Sequence, residues 1–306
     1  MPENSIRTMI EIGGLRLSLE LPTPSMITRV IERYEGFLTD PGETEADIEL
    51  SFEIDPESPC FHPVWVENPA VRSEGDLGKT MIEGKGFQGH VDWNQGRGRA
   101  RIPDSLSHVD LFLRIALGGH LLRSGDTLLH AAAVRRDGWA IVFCGPSGAG
   151  KSTIADLCRQ DGIDVLADEM VVIRHSGAGM RVYGTPFWKG MTDGAPAGAI
   201  FLLHQAAAAE VTPLPPDRAL AEILAAGGAP VGLPSVQQAF FAAVGGLLRR
   251  IPAYRLHFAK RPDFWTAIDR LPEFVFFRPR TPGSGADTSS EFPPWPGLPL
   301  RLPSAE

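Results

Sequence analysis

The stretch WAIVFCGPSGAGKST, residues 139–153, decides the fold. It begins with an apolar run of the length of a buried strand and continues into a glycine-rich turn. The turn follows the pattern Gly-x-x-x-x-Gly-Lys-Ser and ends at Gly150, Lys151 and Ser152. Residues 153–160 then place apolar side chains at helical spacing. This pattern predicts a strand, a phosphate-binding loop and a helix whose N-terminal end is directed at phosphate oxygens.

The chemistry of phosphate binding explains the residue types in this loop. Glycines allow backbone amides to turn toward phosphate oxygens, and a lysine neutralises the β and γ phosphates. A serine hydroxyl can ligate Mg²⁺. We therefore predict nucleotide binding with ATP and Mg²⁺ as cofactors. The predicted nucleotide-binding residues are Gly145, Pro146, Ser147, Gly148, Ala149, Gly150, Lys151, Ser152 and Thr153.

Composition excludes several classes of protein. The net charge of −8 and the absence of any run of lysines and arginines argue against nucleic-acid binding. No apolar stretch reaches the roughly 18 residues of a membrane span, so we expect no membrane partner. Three widely spaced cysteines and no secretory leader pattern predict a reducing, cytoplasmic setting. We interpret Cys144 and Cys158 as small buried apolar residues.

The pattern along the chain predicts an α/β (α+β) protein with three parts. Residues 1–104 alternate like strands and form a β-rich accessory domain. Residues 105–277 contain the phosphate-binding loop and form the predicted catalytic domain. Residues 278–306 are rich in proline, glycine and serine, and we predict that this tail is disordered.

Individual elements are predicted from periodicity and turn residues. In the first part we expect strands over residues 6–21, 46–54 and 87–102, a helix over 25–37 and a loop over 55–79. In the second part we expect helices over residues 105–122, 235–250 and 263–271, hairpins over 127–134 with 139–144 and over 163–174 with 180–185, and a strand over 199–203.

An acidic pair, Asp168 and Glu169, interrupts the predicted strand over residues 163–174 shortly after Lys151. Two adjacent carboxylates beside a phosphate-binding loop can divide the chemistry, because one can hold Mg²⁺ while the other accepts the proton of an attacking hydroxyl. The alternative is the solvated acidic edge of a strand. Since apolar residues flank the pair on both sides, we predict that both carboxylates are catalytic and metal-binding.

The order of His130, GPSGAGKS (145–152) and LADE (166–169) resembles the HPr kinase/phosphorylases and their shorter relatives, the HPr-kinase-related kinases. The resemblance is strong over residues 128–185 and extends weakly to residue 271. It implies the fold shared with ATP-dependent phosphoenolpyruvate carboxykinases, a mixed sheet with hairpins and flanking helices. By itself His130 has the character of a core histidine. The resemblance places it near the reacting phosphoryl group and makes Asp168 the foremost base or metal-side carboxylate.

The activity implied by this resemblance is ATP-dependent phosphoryl transfer to a hydroxyl, with a serine of a peptide or small protein as acceptor. Some shorter relatives accompany genes for ribosomal peptides, so a ribosomal peptide precursor is an implied acceptor, and relatives often form homo-oligomers. HPr kinases have two aspartates where this chain has Asp168 and Glu169, and their downstream phosphorylase signature has no counterpart here. These departures argue against phosphorolysis and against HPr as the acceptor.

Other functions share parts of this pattern. A nucleotide-binding regulatory or assembly protein with little or no turnover is one alternative, and a small-molecule kinase acting on serine or a sugar is another. Guanylate kinases and transporter ATPases carry the same loop sequence. A transporter would need a Leu-Ser-Gly-Gly-Gln segment, which is absent, and a guanylate kinase would begin near its loop.

Weaker candidates lie further along the chain. Phe187 and Trp188, within GTPFWKG, either close the core or line an acceptor site. A cation for the transition state could come from Lys189, Arg249, Arg250 or Arg255, although exposed positive side chains usually only solvate a surface.

Overall fold

The first sheet is built from the N-terminal third of the chain. The computed structural model describes residues 6–40, 45–58, 72–84, 86–177, 179–227 and 229–271. The strands of this sheet are β1 (Ile6–Ile12), β2 (Leu15–Leu21), β3 (Ile48–Ile54), β4 (Arg72–Gly75), β5 (Lys79–Gly84), β6 (Phe87–Asp92) and β7 (Arg97–Ile102). Their order is β1-β2-β3-β7-β6-β5-β4. Along β7, exposed arginines alternate with buried residues, so one face of this sheet is exposed and the other is buried.

Helix α1 (Pro24–Arg33) packs on β1 and β2. The Thr23 side chain begins the helix by accepting a hydrogen bond from the Met26 amide at 3.1 Å. The helix ends at Arg33, before residue 37 where the predicted helix 25–37 ends, and a 3-10 turn, Glu35–Phe37, follows it. The apolar side of α1 faces the core through Met26 and Val30.

Helix α2 (Leu106–Arg123) lies in the middle of the molecule, close to the predicted 105–122. It is buried on almost all sides, because it packs against both sheets. The Trp93 indole, from the turn after β6, donates a hydrogen bond to the Ala116 carbonyl at 3.0 Å. One apolar cluster continues from the first sheet through α2 into the second sheet. The predicted division after residue 104 falls just before α2 and stays a prediction.

The second sheet carries the phosphate-binding loop. Its strands are β8 (Thr127–Arg136), β9 (Trp139–Cys144), β10 (Asp164–Ala167), β11 (Met170–Ser176), β12 (Gly179–Tyr183), β13 (Gly194–Gln205), β14 (Glu210–Pro213) and β15 (Ala253–Phe258). Strand β9 runs parallel to β13, and β13 runs parallel to β15, whereas the hairpin pairs are antiparallel. The sheet is therefore mixed.

The sheet curls into a closed circuit of paired strands. Strand β8 pairs with both β9 and β11, and β11 pairs with β12. The long strand β13 pairs with β12 at its beginning and with β9 further along. A register shift between Ala197 and Ala199 accompanies this change of partner. The curl brings the end of β9 and the β10–β11 junction to the two sides of β8.

Helices cover both faces of the second sheet. Besides α2, the described helices of this half are α3 (Lys151–Gln160), α4 (Pro216–Ala226), α5 (Pro234–Leu248) and α6 (Phe264–Ile268). Buried side chains of α3 and α6 belong to one apolar cluster, and those of α4 and α5 belong to the cluster that contains α2. Alternate residues of β8 contribute to the two clusters, as expected for a strand covered on both faces.

The structure confirms a mixed α/β protein with two mixed sheets, both predicted hairpins and the helices predicted over residues 235–250 and 263–271. The loop prediction over residues 55–79 is wrong for β4, a short charged edge strand. The strand predicted over 163–174 is two strands, because the acidic pair breaks it. Elements β5, α4, β14 and β15 were not predicted. Cys60 and the tail predicted to be disordered lie outside the described residues.

Candidate active site

The phosphate-binding loop joins β9 to α3, as predicted. Its backbone is left-handed at Gly148, with φ 78°, and at Gly150, with φ 112°. These conformations favour glycine because it lacks a Cβ atom. A Cβ on Gly150 would lie 2.5 Å from Cζ of Phe258, whereas one on Gly148 would meet nothing within 4 Å. The loop is therefore held against β15 at its C-terminal end and open at its tip.

Lys151 folds back over the loop that precedes it. Its ammonium donates hydrogen bonds to the carbonyl oxygens of Gly145, at 2.7 Å, and Pro146, at 3.2 Å. The residue is only 7% exposed, and burial lowers the pKa of its amine. A cation held in this position by neutral carbonyls is available to a more strongly charged acceptor such as a phosphate.

His130 lies beside the loop because of strand register. It stands opposite Met170 on β11, while the next residue, Ala131, stands opposite Cys144 at the end of β9. Burial, and then the nearby Lys151 ammonium, lower the pKa of His130 to about 4. Its imidazole is therefore neutral near pH 7, so it can accept a proton but does not add a positive charge.

Asp168 lies at the break between β10 and β11 and is only 4% exposed. One carboxylate oxygen accepts a hydrogen bond from Arg159 of α3 at 3.0 Å. The other oxygen, Oδ1, is buried and has no hydrogen-bond partner among the described residues. Burial raises the pKa of Asp168, and Arg159 opposes that rise. A buried carboxylate oxygen without a partner is costly, which is typical of an atom that binds a ligand, ion or water.

Glu169 is held from the other side of the sheet. Its Oε1 accepts a hydrogen bond from Arg114 of α2 at 2.7 Å, and its carbonyl accepts one from the Ala131 amide at 3.1 Å. The Arg114 guanidinium also lies over the Phe187 ring, 4.6 Å from its centre. The two acidic side chains thus have different cationic partners, and Glu169 is more exposed than Asp168.

These residues line one cleft of about 430 Å³. It contains predicted residues from three separate parts of the sequence. The lining residues are His130, Ser147, Gly148, Gly150, Lys151, Ser152, Thr153, Asp168, Glu169, Trp188 and Lys260. Gly145, Pro146 and Ala149 shape the loop without lining the cleft.

Several side chains at this site were missed by the sequence analysis. Gln205 donates to the Gly148 carbonyl at 2.7 Å, Arg159 holds Asp168, and Arg114 holds Glu169. Lys260 lines the cleft and also a neighbouring cavity of about 230 Å³ beside Gly150. The scarcity of lysine, with five in the chain, was the one signal that could have indicated Lys260.

Of the weaker candidates, Trp188 lines the cleft and the others do not. Trp188 lines the cleft and is 48% exposed, whereas Phe187 is fully buried. Arg255 pairs with Glu222 on α4. Lys189, Arg249, Arg250 and Arg255 are not among the residues that line the cleft.

The donor set fits Mg²⁺ bound together with phosphates. Within the described part of the chain, no group of three or more histidine, cysteine, aspartate or glutamate side chains is arranged to hold a metal ion by itself. Mg²⁺ is commonly held by one or two carboxylates together with substrate phosphates and water. The Ser152 hydroxyl and the Glu169 carboxylate, which line the same cleft, suit that mode and leave the unpartnered Oδ1 of Asp168 for another ligand.

Comparison with known families adds an assignment. Residues 117–273 match the model of a family described as SynChlorMet cassette protein ScmC, which is just over half of the chain. The chain belongs to the ScmC family. No curated protein matches it. The region matched to ScmC includes every residue that lines the cleft, whereas α1 and Arg114 precede it.

None of the described helices combines the length and the apolarity that are needed to cross a membrane.

Proposed function

We propose that this ScmC family member is an ATP- and Mg²⁺-dependent phosphotransferase of the HPr-kinase-like type. In this proposal it transfers the γ-phosphoryl group of ATP to a hydroxyl, with a serine of a peptide or small protein as acceptor. The observation that carries the proposal is a single cleft in which Lys151 lies with Asp168, whose buried Oδ1 has no partner among the described residues. This oxygen is available to accept the proton of an attacking hydroxyl, a role that phosphoryl transfer uses and nucleotide binding alone does not.

The residues divide the work as follows. Loop amides and the Lys151 ammonium bind the β and γ phosphates, and Lys151 exchanges its loop carbonyls for phosphate oxygens. Ser152 and Glu169 would hold Mg²⁺, which would supply positive charge beside the phosphates. Asp168 orients the acceptor hydroxyl and takes its proton, which its burial-raised pKa favours. His130, neutral near pH 7, lies by the transferring group and can accept a hydrogen bond.

Arg114 and Arg159 give the two acidic side chains different cationic partners and therefore different surroundings. Each carboxylate has its own guanidinium, so neighbouring negative charges are partly compensated before any ligand binds. Positioning of this kind, together with electrostatic stabilisation, supplies most of the catalysis in phosphoryl transfer.

The proposal is tested by incubating the protein with γ-labelled ATP, Mg²⁺ and serine-containing peptides. We expect acceptor-dependent transfer that is lost in Lys151→Ala and Asp168→Asn. Tight ATP binding without transfer to any acceptor would favour a regulatory or assembly protein. Transfer to free serine or a sugar, with none to peptides, would favour a small-molecule kinase.

A further inference from the structure

The segment after β12 is built so that one aromatic side chain points inward and the next outward. Phe187 is fully buried beneath the Arg114 guanidinium, while its neighbour Trp188 is 48% exposed and lines the cleft. Most large apolar side chains in the described part of the chain are buried. Trp188 is the one large apolar side chain among the residues that line the cleft, so it offers an apolar contact surface to a ligand bound there.

The backbone of this segment is constrained at both ends. Lys189 has a left-handed conformation with φ 45°, which costs a non-glycine residue about 1 kcal/mol. A Cβ on Gly190 would lie 1.9 Å from the Thr185 carbonyl oxygen, and one on Gly184 would lie 2.2 Å from that of Leu166. The backbone on both sides of Trp188 is thus tightly packed.

Contacts tie the segment to β10 and β11, the strands on either side of the acidic pair. The Met191 amide donates to the Leu166 carbonyl at 2.8 Å, and the Thr185 hydroxyl donates to the Met170 carbonyl at 2.7 Å. These two carbonyls lie on either side of the acidic pair. Trp188 is therefore positioned relative to the carboxylates that would act on the acceptor.

A residue from the N-terminal part of the chain completes this support. Arg33, at the end of α1, donates to the Phe187 carbonyl and to Asp110 of α2, the latter at 3.0 Å. Its guanidinium also lies 6.0 Å from the centre of the Trp188 ring, with the Lys189 ammonium at 5.8 Å. Helix α1 thus reaches across to the wall of the cleft.

The position of Trp188 separates it from the neighbouring cavity. That cavity shares Gly150 and Lys260 with the cleft, but neither Trp188 nor either carboxylate lines it. A nucleotide extending from the loop toward Lys260 would leave the side that contains Asp168, Glu169 and Trp188 to the acceptor.

We propose that Trp188 forms the acceptor wall of the cleft, contacting an aromatic or large aliphatic side chain beside the acceptor hydroxyl of a peptide, and that Arg33 positions this wall. This inference rests on the proposed phosphotransferase function and assigns its specificity. Phosphorylation then favours serines flanked by such a side chain, and the N-terminal part of the chain contributes to acceptor selection.

The test uses a degenerate peptide library, three random residues on each side of a central serine, with Mg²⁺ and labelled ATP. Wild type is compared with Trp188→Ala, Trp188→Phe, Arg33→Gln and Phe241→Ala. Phe241 on α5 is 53% exposed and does not line the cleft, so its variant is the matched control. Circular-dichroism melts show which variants fold.

We expect wild type, Trp188→Phe and Phe241→Ala to favour an aromatic or large aliphatic residue at one flanking position, by about 10-fold, the size of effect that an apolar pocket provides. Trp188→Ala loses this preference and Arg33→Gln weakens it, while MgATP affinity stays unchanged. Transfer without positional preference, or a preference that survives in Trp188→Ala, would overturn the proposed role of Trp188 but not the proposed kinase function. Weaker MgATP binding in Trp188→Ala would overturn it by placing the indole against the nucleotide. An unchanged preference in Arg33→Gln would overturn the role of Arg33.

A second measurement separates this inference from the proposed function. The same library is captured on wild-type protein and on Trp188→Ala, with Mg²⁺ and a non-hydrolysable ATP analogue. Enrichment of flanking aromatic or aliphatic residues on wild type alone, without any phosphoryl transfer, would support the wall and contradict the kinase. If the wild-type protein showed no capture and no transfer, both proposals would be overturned.

Discussion

The Arg114 guanidinium on α2 donates a hydrogen bond to Oε1 of Glu169, 2.7 Å away and 55 residues further along the chain. Helix α2 packs against both sheets, so this contact connects the central helix of the molecule to the acidic pair. Arg114 is nearly buried, and Glu169 is about one-third exposed at its side chain. The pair is therefore partly screened, and its strength lies between that of surface and buried ion pairs.

We expect Arg114→Met to lower the free energy of unfolding by about 1–3 kcal/mol, because it leaves Glu169 without its cation. Glu169→Gln should cost less, since an amide oxygen still accepts the hydrogen bond. Urea unfolding of both variants and the double variant measures the coupling. Additive losses would show that the contact contributes nothing to stability.

Two loop glycines should respond differently to alanine. Both have left-handed backbones, which cost alanine about 1 kcal/mol, but only Gly150 faces a ring atom that a Cβ would overlap. Gly150→Ala should therefore cost about 2–3 kcal/mol, and Gly148→Ala about 1 kcal/mol. Thermal melts measure the difference. Equal losses would mean that Phe258 moves aside without cost.

His130 should make stability depend on pH. Burial lowers its pKa to about 4 in the folded protein, against an ordinary 6.5, so the unfolded state binds the proton more readily. The protein is then stable above the ordinary pKa and loses stability as the pH falls from about 6.5 toward 4. From pH 7 to pH 5 the loss from this residue is about 2 kcal/mol.

Urea unfolding of His130→Gln at pH 7 and pH 5 tests this dependence. The variant should lose about 2 kcal/mol less than wild type over that interval, because glutamine does not titrate. Parallel losses in the two proteins would show that the imidazole is protonated as easily in the folded state as in the unfolded one.

The cysteines of the second sheet and α3 should be unreactive. Burial raises the pKa of Cys144 and Cys158 to about 12, so neither forms an appreciable amount of thiolate near pH 8. In a Cys60→Ser protein, a thiol reagent should titrate no group in the native state and two in urea. Rapid native labelling of either thiol would contradict their placement in the core.

The parts that the sequence could predict are those with local chemical patterns. Short apolar runs joined by turn residues indicated the hairpins. The order of glycines, lysine and serine indicated the loop, because backbone conformation and phosphate binding restrict those positions directly. The acidic pair stood out because charges rarely occur inside an apolar strand.

The partners of those residues could not be predicted in the same way. Arg114, Arg159 and Gln205 reach the site through the curl of the second sheet and the packing of α2 and α3, which leave no local spacing to recognise. Helix α4 was missed because it begins directly after Pro213 and Pro215, which are typical of a loop, and because four of its eleven residues are alanine. The outward direction of Trp188 depends on the backbone turn at Lys189, and a sequence pattern does not reveal that turn.

The central claim, that Asp168 drives phosphoryl transfer on a nucleotide held by the loop, is tested most directly with Asp168→Asn. We predict that γ-phosphoryl transfer to a serine peptide falls at least about 100-fold, the usual loss on removing a catalytic base, while MgATP affinity changes little. An Asp168→Asn protein that transfers phosphate at the wild-type rate would contradict the claim. A wild-type protein that binds MgATP but transfers no phosphoryl group to any hydroxyl would contradict the claim as well.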